Sequence, residues 1–229
     1  NELCINCGLC NDVCAFHSHY DTADNLSEPE IVAARHKNID EVMKSRSGAM
    51  FVALSDYILD NGGIIYGAGY AEHFRVIHKR ASTKHERDVF RGSKYVQSDL
   101  TGIFRQVKTD LSDGKTVLFS GTPCQTAGLH SYIGKKLRSN LILVDIICLG
   151  VPAPNIWQDY LFYLEKINHS RIIAANFRNK AEFGWASHKE TYRFLNGKVI
   201  SEDKFTFLFC EHIMFRHSCG KCHYTNIRR

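Results

Sequence analysis

Apolar positions recur along this chain at two periods, and the switch between periods marks out its elements. From Ile39, the residues Met43, Met50, Phe51, Leu54, Tyr57 and Ile58 share one side of a 3.6-residue repeat. This predicts one helix, stopped by Gly62-Gly63. Inside it, Ser45-Arg46-Ser47-Gly48-Ala49 sets small residues where a neighbouring backbone or a ligand can come close. Ile64 to Gly69 and Phe74 to Arg80 predict two strands joined by a turn. Thr83 to Glu86 is a capping box that opens a short helix. Ser98 is the expected cap of a further helix through Ile103, Phe104, Val107 and Leu111, closed by Gly114.

Val117-Leu118-Phe119-Ser120 then reads as a short buried strand. Gly121 permits a tight turn, Thr122 suits a helix N-cap, and Pro123 suits the first helical position. The helix that follows, with Ala127, Leu129, Tyr132, Ile133 and Leu137, feeds a second apolar strand from Leu141 to Ile147. Strand, helix, strand predicts two parallel strands and a right-handed crossover. Farther on, Ile156, Trp157, Tyr160, Leu161, Leu164 and Ile167 mark a helix, and Arg171 to Phe177 a strand. Asn196-Gly197 lies between two alternating runs, a hairpin signal. Phe205, Leu208, Phe209, Ile213 and Phe215 predict an aromatic helix. The expected fold class is α/β (α+β), a mixed, partly parallel sheet with flanking helices.

Composition narrows the classes. A chain of 229 residues with 44% hydrophobic and 23% charged positions suits one full domain, or a domain plus a small appendage. The formal charge of +5 is scattered, which suits a solvated surface and an anion-binding pocket better than a nucleic-acid face. The longest apolar run is interrupted by Asp145 and is too short to span a bilayer. Nine cysteines, an odd number at metal-type spacings, argue against a disulfide framework. They point to metal chemistry and a reducing, cytoplasmic setting.

Cys4, Cys7, Cys10 and Cys14 form C-x2-C-x2-C-x3-C, the bacterial ferredoxin spacing for a 4Fe–4S cluster. Ala15 stands where proline usually follows. In two-cluster ferredoxins the fourth cysteine serves the other cluster, so Cys14 has two possible assignments. The chain begins almost on this motif, which suggests a piece of a longer protein. His17, His19 and Tyr20 read as a polar loop. The turn-rich residues 21 to 29 place a boundary between a ferredoxin-like segment, 1–33, and a larger domain, 34–229. Cys124 sits at a helix start, where amide groups and the helix dipole favour a thiolate. Cys124 and Cys148 both follow the carboxyl ends of parallel strands, so they share one rim, where open α/β sheets bind ligands. Cys219-x-x-Cys222 is a half-site, completed either by Cys124 and Cys148 or, around zinc, by His217 or His223. Cys210 is expected to be a buried free thiol. The donor-rich loop from Arg91 to Ser98 could hold a phosphate.

Five stretches occur in order: Ser45 to Phe51, Arg91 to Ser98, Gly121-Thr122-Pro123-Cys124-Gln125, Asp145 to Cys148 with Gly150-Val151-Pro152, and Cys219 to Cys222. Together they resemble the coenzyme F420 hydrogenase/dehydrogenase beta-subunit family. The resemblance implies FAD and 4Fe–4S clusters that exchange electrons with the flavin. It also implies that Cys124, Cys148, Cys219 and Cys222 ligate an internal cluster. By position it puts flavin contacts at Ser47, Gly48, Gly92, Ser93, Lys94, Tyr95, Gly121 and Thr122, and Lys94 and Arg178 are candidates to neutralise pyrophosphate or reduced flavin. Leu149 stands where the family usually has histidine, and Arg46-Ser47-Gly48-Ala49 alters a Ser-Ser-Gly-Gly stretch. Both cysteine-motif count and length suggest a fragment.

The expected function is an iron–sulfur flavoprotein oxidoreductase acting on a small molecule or a deazaflavin-type coenzyme. Its expected electron donor is a ferredoxin or a partner subunit. The alternatives are an electron-transfer subunit of a larger redox complex and a zinc-stabilised binding module. His78, Tyr95 and His188 are candidate proton carriers, none of them assigned.

Overall fold

The structure, a computed structural model, describes residues 4–12, 14, 28 and 30–224. His17, His19, Tyr20 and residues 21–27 lie outside the described residues, as do 225–229. After a four-residue helix α1 (Leu9–Asp12), the predicted long helix is two helices, α2 (Ile39–Lys44) and α3 (Met50–Asp60). Ser45 is extended, and Ala49 is left-handed at φ 60°. The break docks on the preceding segment: His36 N–H donates to Gly48 O at 2.7 Å, and a Cβ on Gly48 would stand 2.7 Å from Ala34 O. Glycine is therefore a packing requirement there. The break also resets the helical phase. Val52, Ser55 and Ile58 face inward on α3, while Met50, Leu54 and Tyr57 are exposed.

Strands β1 (Ile64–Tyr70) and β2 (Val76–Ala81) form the predicted antiparallel pair. Helix α4 (Lys84–Arg87) opens on the complete Thr83/Glu86 capping box. Helix α5 (Ile103–Ser112) starts after Gly102, left-handed at φ 77°, and not after Ser98. Ser98 has other work, because Asp99 pairs with Ile77 and the Ser98 hydroxyl bonds His78. Strand β3 (Val117–Gly121), helix α6 (Pro123–Tyr132) and strand β4 (Leu141–Asp145) are the predicted crossover unit. The sheet order is β2-β1-β3-β4, with β1, β3 and β4 parallel. Alternation covers both faces. Tyr66 and Phe119 pack with Val107 and Leu129 on one side, and Ile65 and Leu118 pack with Ile58 on the other.

Helix α7 (Pro154–Asn168) leads to a second, antiparallel sheet of β5 (Ile172–Asn176), β6 (Glu190–Phe194) and β7 (Val199–Glu202), with helix α8 (Lys180–Phe183) between β5 and β6. The aromatic helix α9 is shorter than predicted, Lys204–Cys210. Trp157 of α7 anchors this half, packing on Phe177, Tyr192 and Phe205. Its indole N–H donates to Phe74 O at 2.9 Å, which joins the half to the first sheet. Among the described residues no helix is long and apolar enough to cross a membrane.

Candidate functional site

Two features stand out: a rim of thiols and a cationic cavity. The rim begins with β3 and β4, which end in register at Gly121 and Asp145, so the following segments leave the sheet side by side. Ile146 N–H donates to Gly121 O at 3.0 Å, and the Thr126 hydroxyl of α6 donates to the Asp145 carboxylate. Cys124 lies in the first turn of α6, with its Sγ 3.2 Å from Thr122 Oγ1.

The second pair of thiols arrives by long-range docking. Gly150 has φ 145°, and a Cβ there would meet the Phe215 ring at 2.3 Å. Only glycine lets that ring settle on the chain. Pro152 pairs with Phe215, Arg216 N–H donates to Val151 O at 3.0 Å, and Gln97 N–H donates to Pro152 O at 3.2 Å. The Arg216 guanidinium closes the arrangement on Gln97 Oε1. The turn from His217 to Lys221 then delivers Cys219, 4.0 Å from Val151 O. Cys222 follows, its sulfur accepting Tyr224 N–H at 3.5 Å.

Cys124, Cys148, Cys219 and Cys222 are thus near enough to feel one another's charge. Burial, against the pull of the Gly150 backbone and with Cys124, Cys219 and Cys222 nearby, pushes the Cys148 thiol up to about 11. Burial also raises the Cys124 pKa, against the pull of the Thr122 hydroxyl. The Cys124 side chain is nonetheless exposed at the surface. Among the described residues, no group of three or more His, Cys, Asp or Glu is gathered tightly enough to hold one metal ion. A cubane is a different demand, since its four irons take thiolates at separate corners.

In the N-terminal motif, Asn6 and Gly8 are left-handed, at φ 53° and 79°, and α1 starts directly after them. Cys4, Cys7 and Cys10 are exposed and Cys14 is half-buried. Cys210, expected to be buried, is exposed at the end of α9, whose inward face is Phe205, Thr206 and Phe209.

The cavity, about 320 Å³, lies between the α2–α3 break, the 91–94 loop and the segment after β5. Ser45, Arg46, Arg91, Gly92, Ser93, Lys94, Arg178 and Lys180 are in its wall, and among the described residues no carboxylate is. Among the described residues, Arg46, Lys94, Lys180 and Arg178 bond only neutral acceptors, Arg46 donating to Trp185 O at 3.2 Å. Lys94 Nζ donates to Val89 O at 3.1 Å and Arg91 O at 3.0 Å, and burial, with Lys79 nearby, pulls its pKa down to about 7. Lys180 Nζ donates to Val42 O at 2.6 Å and Ser45 O at 3.1 Å. Arg178 reaches Ser187 O at 3.3 Å, the Tyr95 hydroxyl at 3.4 Å and His188 Nε2 at 3.3 Å. Arg91 differs, being paired with Glu41 at 2.5 Å and Asp88 at 2.8 Å. The buried Ser45 Oγ in the wall has no hydrogen-bond partner among the described residues.

Of the expected flavin contacts, Gly92, Ser93, Lys94 and Arg178 line the cavity, and Tyr95 touches it through Arg178. Ser47 and Gly48 sit in the break but outside the lining, while Gly121 and Thr122 belong to the thiol rim. Ser45, Arg46 and Lys180 were missed, although each is within two residues of a named candidate. The rings of Tyr95 and Phe209 lie 4.6 Å apart, tilted by 30°, and those of Phe209 and Phe215 5.0 Å apart, edge to face.

A family model for the C terminus of the coenzyme F420 hydrogenase/dehydrogenase beta subunit matches residues 114–228. This range contains all four rim cysteines and Arg178. Among solved structures, a chain of the F420-reducing [NiFe] hydrogenase complex from Methanosarcina barkeri, derivatised with xenon, superposes with a TM-score of 0.54 at 18% identity. The match covers 82% of this chain and 63% of that one, so this chain spans less than two thirds of its length. At that identity the likeness is one of fold. A search of curated proteins gives no match.

Proposed function

Since the chain belongs to the coenzyme F420 hydrogenase/dehydrogenase beta-subunit family, we propose that it is an iron–sulfur flavoprotein oxidoreductase. The observation that supports it is the docking of the Cys219 turn on Val151, just after Cys148, in a chain that also has a cavity walled by cations. Four thiols at one rim are the donor set of a 4Fe–4S cluster. Cys4, Cys7, Cys10 and Cys14 would hold a second cluster. Such clusters and a flavin, when bound, supply one-electron and two-electron transfer respectively.

The cavity suits the anionic part of FAD. Lys94, Lys180 and Arg178 bring positive charge that no carboxylate of the described wall offsets, and a desolvated cation gains most from an incoming anion. The backbone at Gly92 and Ser93 and the Ser45 hydroxyl offer neutral contacts. Arg178 donates to His188 Nε2, which fixes that nitrogen as an acceptor and directs any proton of the neutral ring to Nδ1. Ser47 and Gly48 shape the break, and Gly121 and Thr122 form the seam on the thiol side. The electron donor in this reading is a ferredoxin or a partner subunit, and the acceptor a small molecule or a deazaflavin-type coenzyme. The domain division stays at 1–33 and 34–229.

The test is anaerobic purification with iron, sulfide and flavin quantified. Iron, sulfide and FAD are expected together. Cys124→Ala should remove one cluster's worth of iron, and Lys94→Met should weaken flavin retention with iron unchanged. Colourless protein that carries zinc and no iron would refute the proposal, and unchanged iron in Cys124→Ala would refute the ligand set.

A further inference from the structure

Behind the Cys124 turn runs a chain of buried polar groups that the cofactor reading leaves unexplained. His78 of β2 is 3% exposed and stacks on Phe119, with ring centroids 4.9 Å apart and planes at 10°. Its Nε2 is 3.0 Å from Ser120 O. A carbonyl only accepts, so Nε2 carries the proton. Burial keeps the ring neutral, pulling its pKa down to about 4. Nδ1 is then an acceptor, and it takes the Ser98 hydroxyl proton at 2.8 Å. The Ser98 oxygen accepts from Gln125 Nε2 at 2.8 Å, which turns the other end of that amide toward Thr122, where Oε1 accepts the backbone N–H at 3.1 Å.

Every donor and acceptor along this relay has a single assignment. The turn is therefore clamped at both ends, at Ser120 by His78 and at Gln125 by Ser98. What the clamp holds in place is Thr122, with its hydroxyl 3.2 Å from Cys124 Sγ.

We propose that His78, Ser98 and Gln125 are positioning residues for the 120–125 turn, and that through it the Thr122 hydroxyl donates to the Cys124 sulfur and raises the reduction potential of the cluster that Cys124 ligates. This rests on the internal-cluster reading above. The sign follows from charge: reduction makes the cluster more negative, and a donor at a ligating sulfur stabilises the more negative state.

The experiment is a redox titration of the full chain, purified anaerobically and followed by electron paramagnetic resonance, with iron and sulfide measured on each sample. The internal cluster is the signal absent from Cys124→Ala. Thr122→Val should keep its iron and move that midpoint to a more negative potential, whereas Thr122→Ser, which keeps the hydroxyl, should stay at the parent value. Ser98→Ala and Gln125→Ala should move it in the same direction as Thr122→Val and by no more. An unchanged midpoint in Thr122→Val, or an equal shift in Thr122→Ser, overturns the role of the hydroxyl. An unchanged midpoint in both Ser98→Ala and Gln125→Ala overturns the clamp. If Cys124→Ala loses no iron, the cluster reading falls and takes this proposal with it. Lost iron with an unmoved midpoint removes this proposal alone.

Discussion

Gly150→Ala should detach the C-terminal cysteines from the rim while leaving both sheets folded. The added Cβ would stand 2.3 Å from Phe215 Cδ2 and 2.6 Å from Cε2. The ring has little room to yield, since Phe209 and His212 pack on it at 5.0 and 4.8 Å. Overpacking of this kind costs about 1–3 kcal/mol, and a non-glycine residue held at φ 145° adds about 1–3 kcal/mol of backbone strain. The alternative is to release Phe215, a half-buried ring, for about 1.5–3 kcal/mol of lost burial. Release is the cheaper route, so the segment around Phe215 should leave and carry Cys219 and Cys222 with it. The assays are limited proteolysis of the 211–216 stretch, iron content and urea denaturation. Expected are faster cleavage there, loss of the internal cluster's iron and a nearly unchanged main unfolding transition. Phe215→Ala supplies the control, because Gly150→Ala should cost less in that background. Parent-like proteolysis and iron in Gly150→Ala, or equal cost in both backgrounds, would refute the reasoning.

Three further outcomes are expected. Lys94 loses its charge as pH rises through about 7, so FAD affinity of the apoprotein should fall across that range, and Lys94→Met should flatten the profile; fluorescence titration at several pH values checks it. Burial raises the Glu190 carboxyl to about 7, against the N–H groups of Phe205 and Thr206, above its unfolded value near 4.5. Its contribution to stability is therefore greatest below the unfolded pKa and lost as pH rises through 7, and Glu190→Gln should remove that slope from urea midpoints measured between pH 4.5 and 8. Trp157→Ala should destabilise by about 3–5 kcal/mol, through the cavity it leaves among Phe177, Tyr192 and Phe205, and a smaller loss by denaturation would contradict its anchoring role.

Local signals were read well where local physics decides. The Thr83/Glu86 box, the Thr122-Pro123 helix start and the Asn196-Gly197 turn all depend on residues within a few positions, and each occurs as expected. The parallel pairing of β3 and β4 followed from the strand–helix–strand order between them. Local pattern misleads where a distant group competes. Ser98 has the chemistry of a cap, but His78 and Gln125 claim its hydroxyl. The helix from Ile39 breaks because the 34–36 segment and Lys180, remote in sequence, satisfy the backbone of Val42, Ser45 and Gly48.

The same division runs through the candidate site. Cysteine spacing and the strand-to-helix junction at Cys124 are written in consecutive residues, so the sequence alone determined which thiols to consider and which sheet rim two of them share. Only tertiary structure decided that the Cys219 turn docks on the segment after Cys148, because that approach depends on a ring packed against Gly150 and backbone bonds to Val151. It also decided that the cavity gathers Ser45, Lys94, Arg178 and Lys180, which no periodicity connects. Hydrogen bonds and packing between remote segments have no local pattern, so no reading of consecutive residues reaches them.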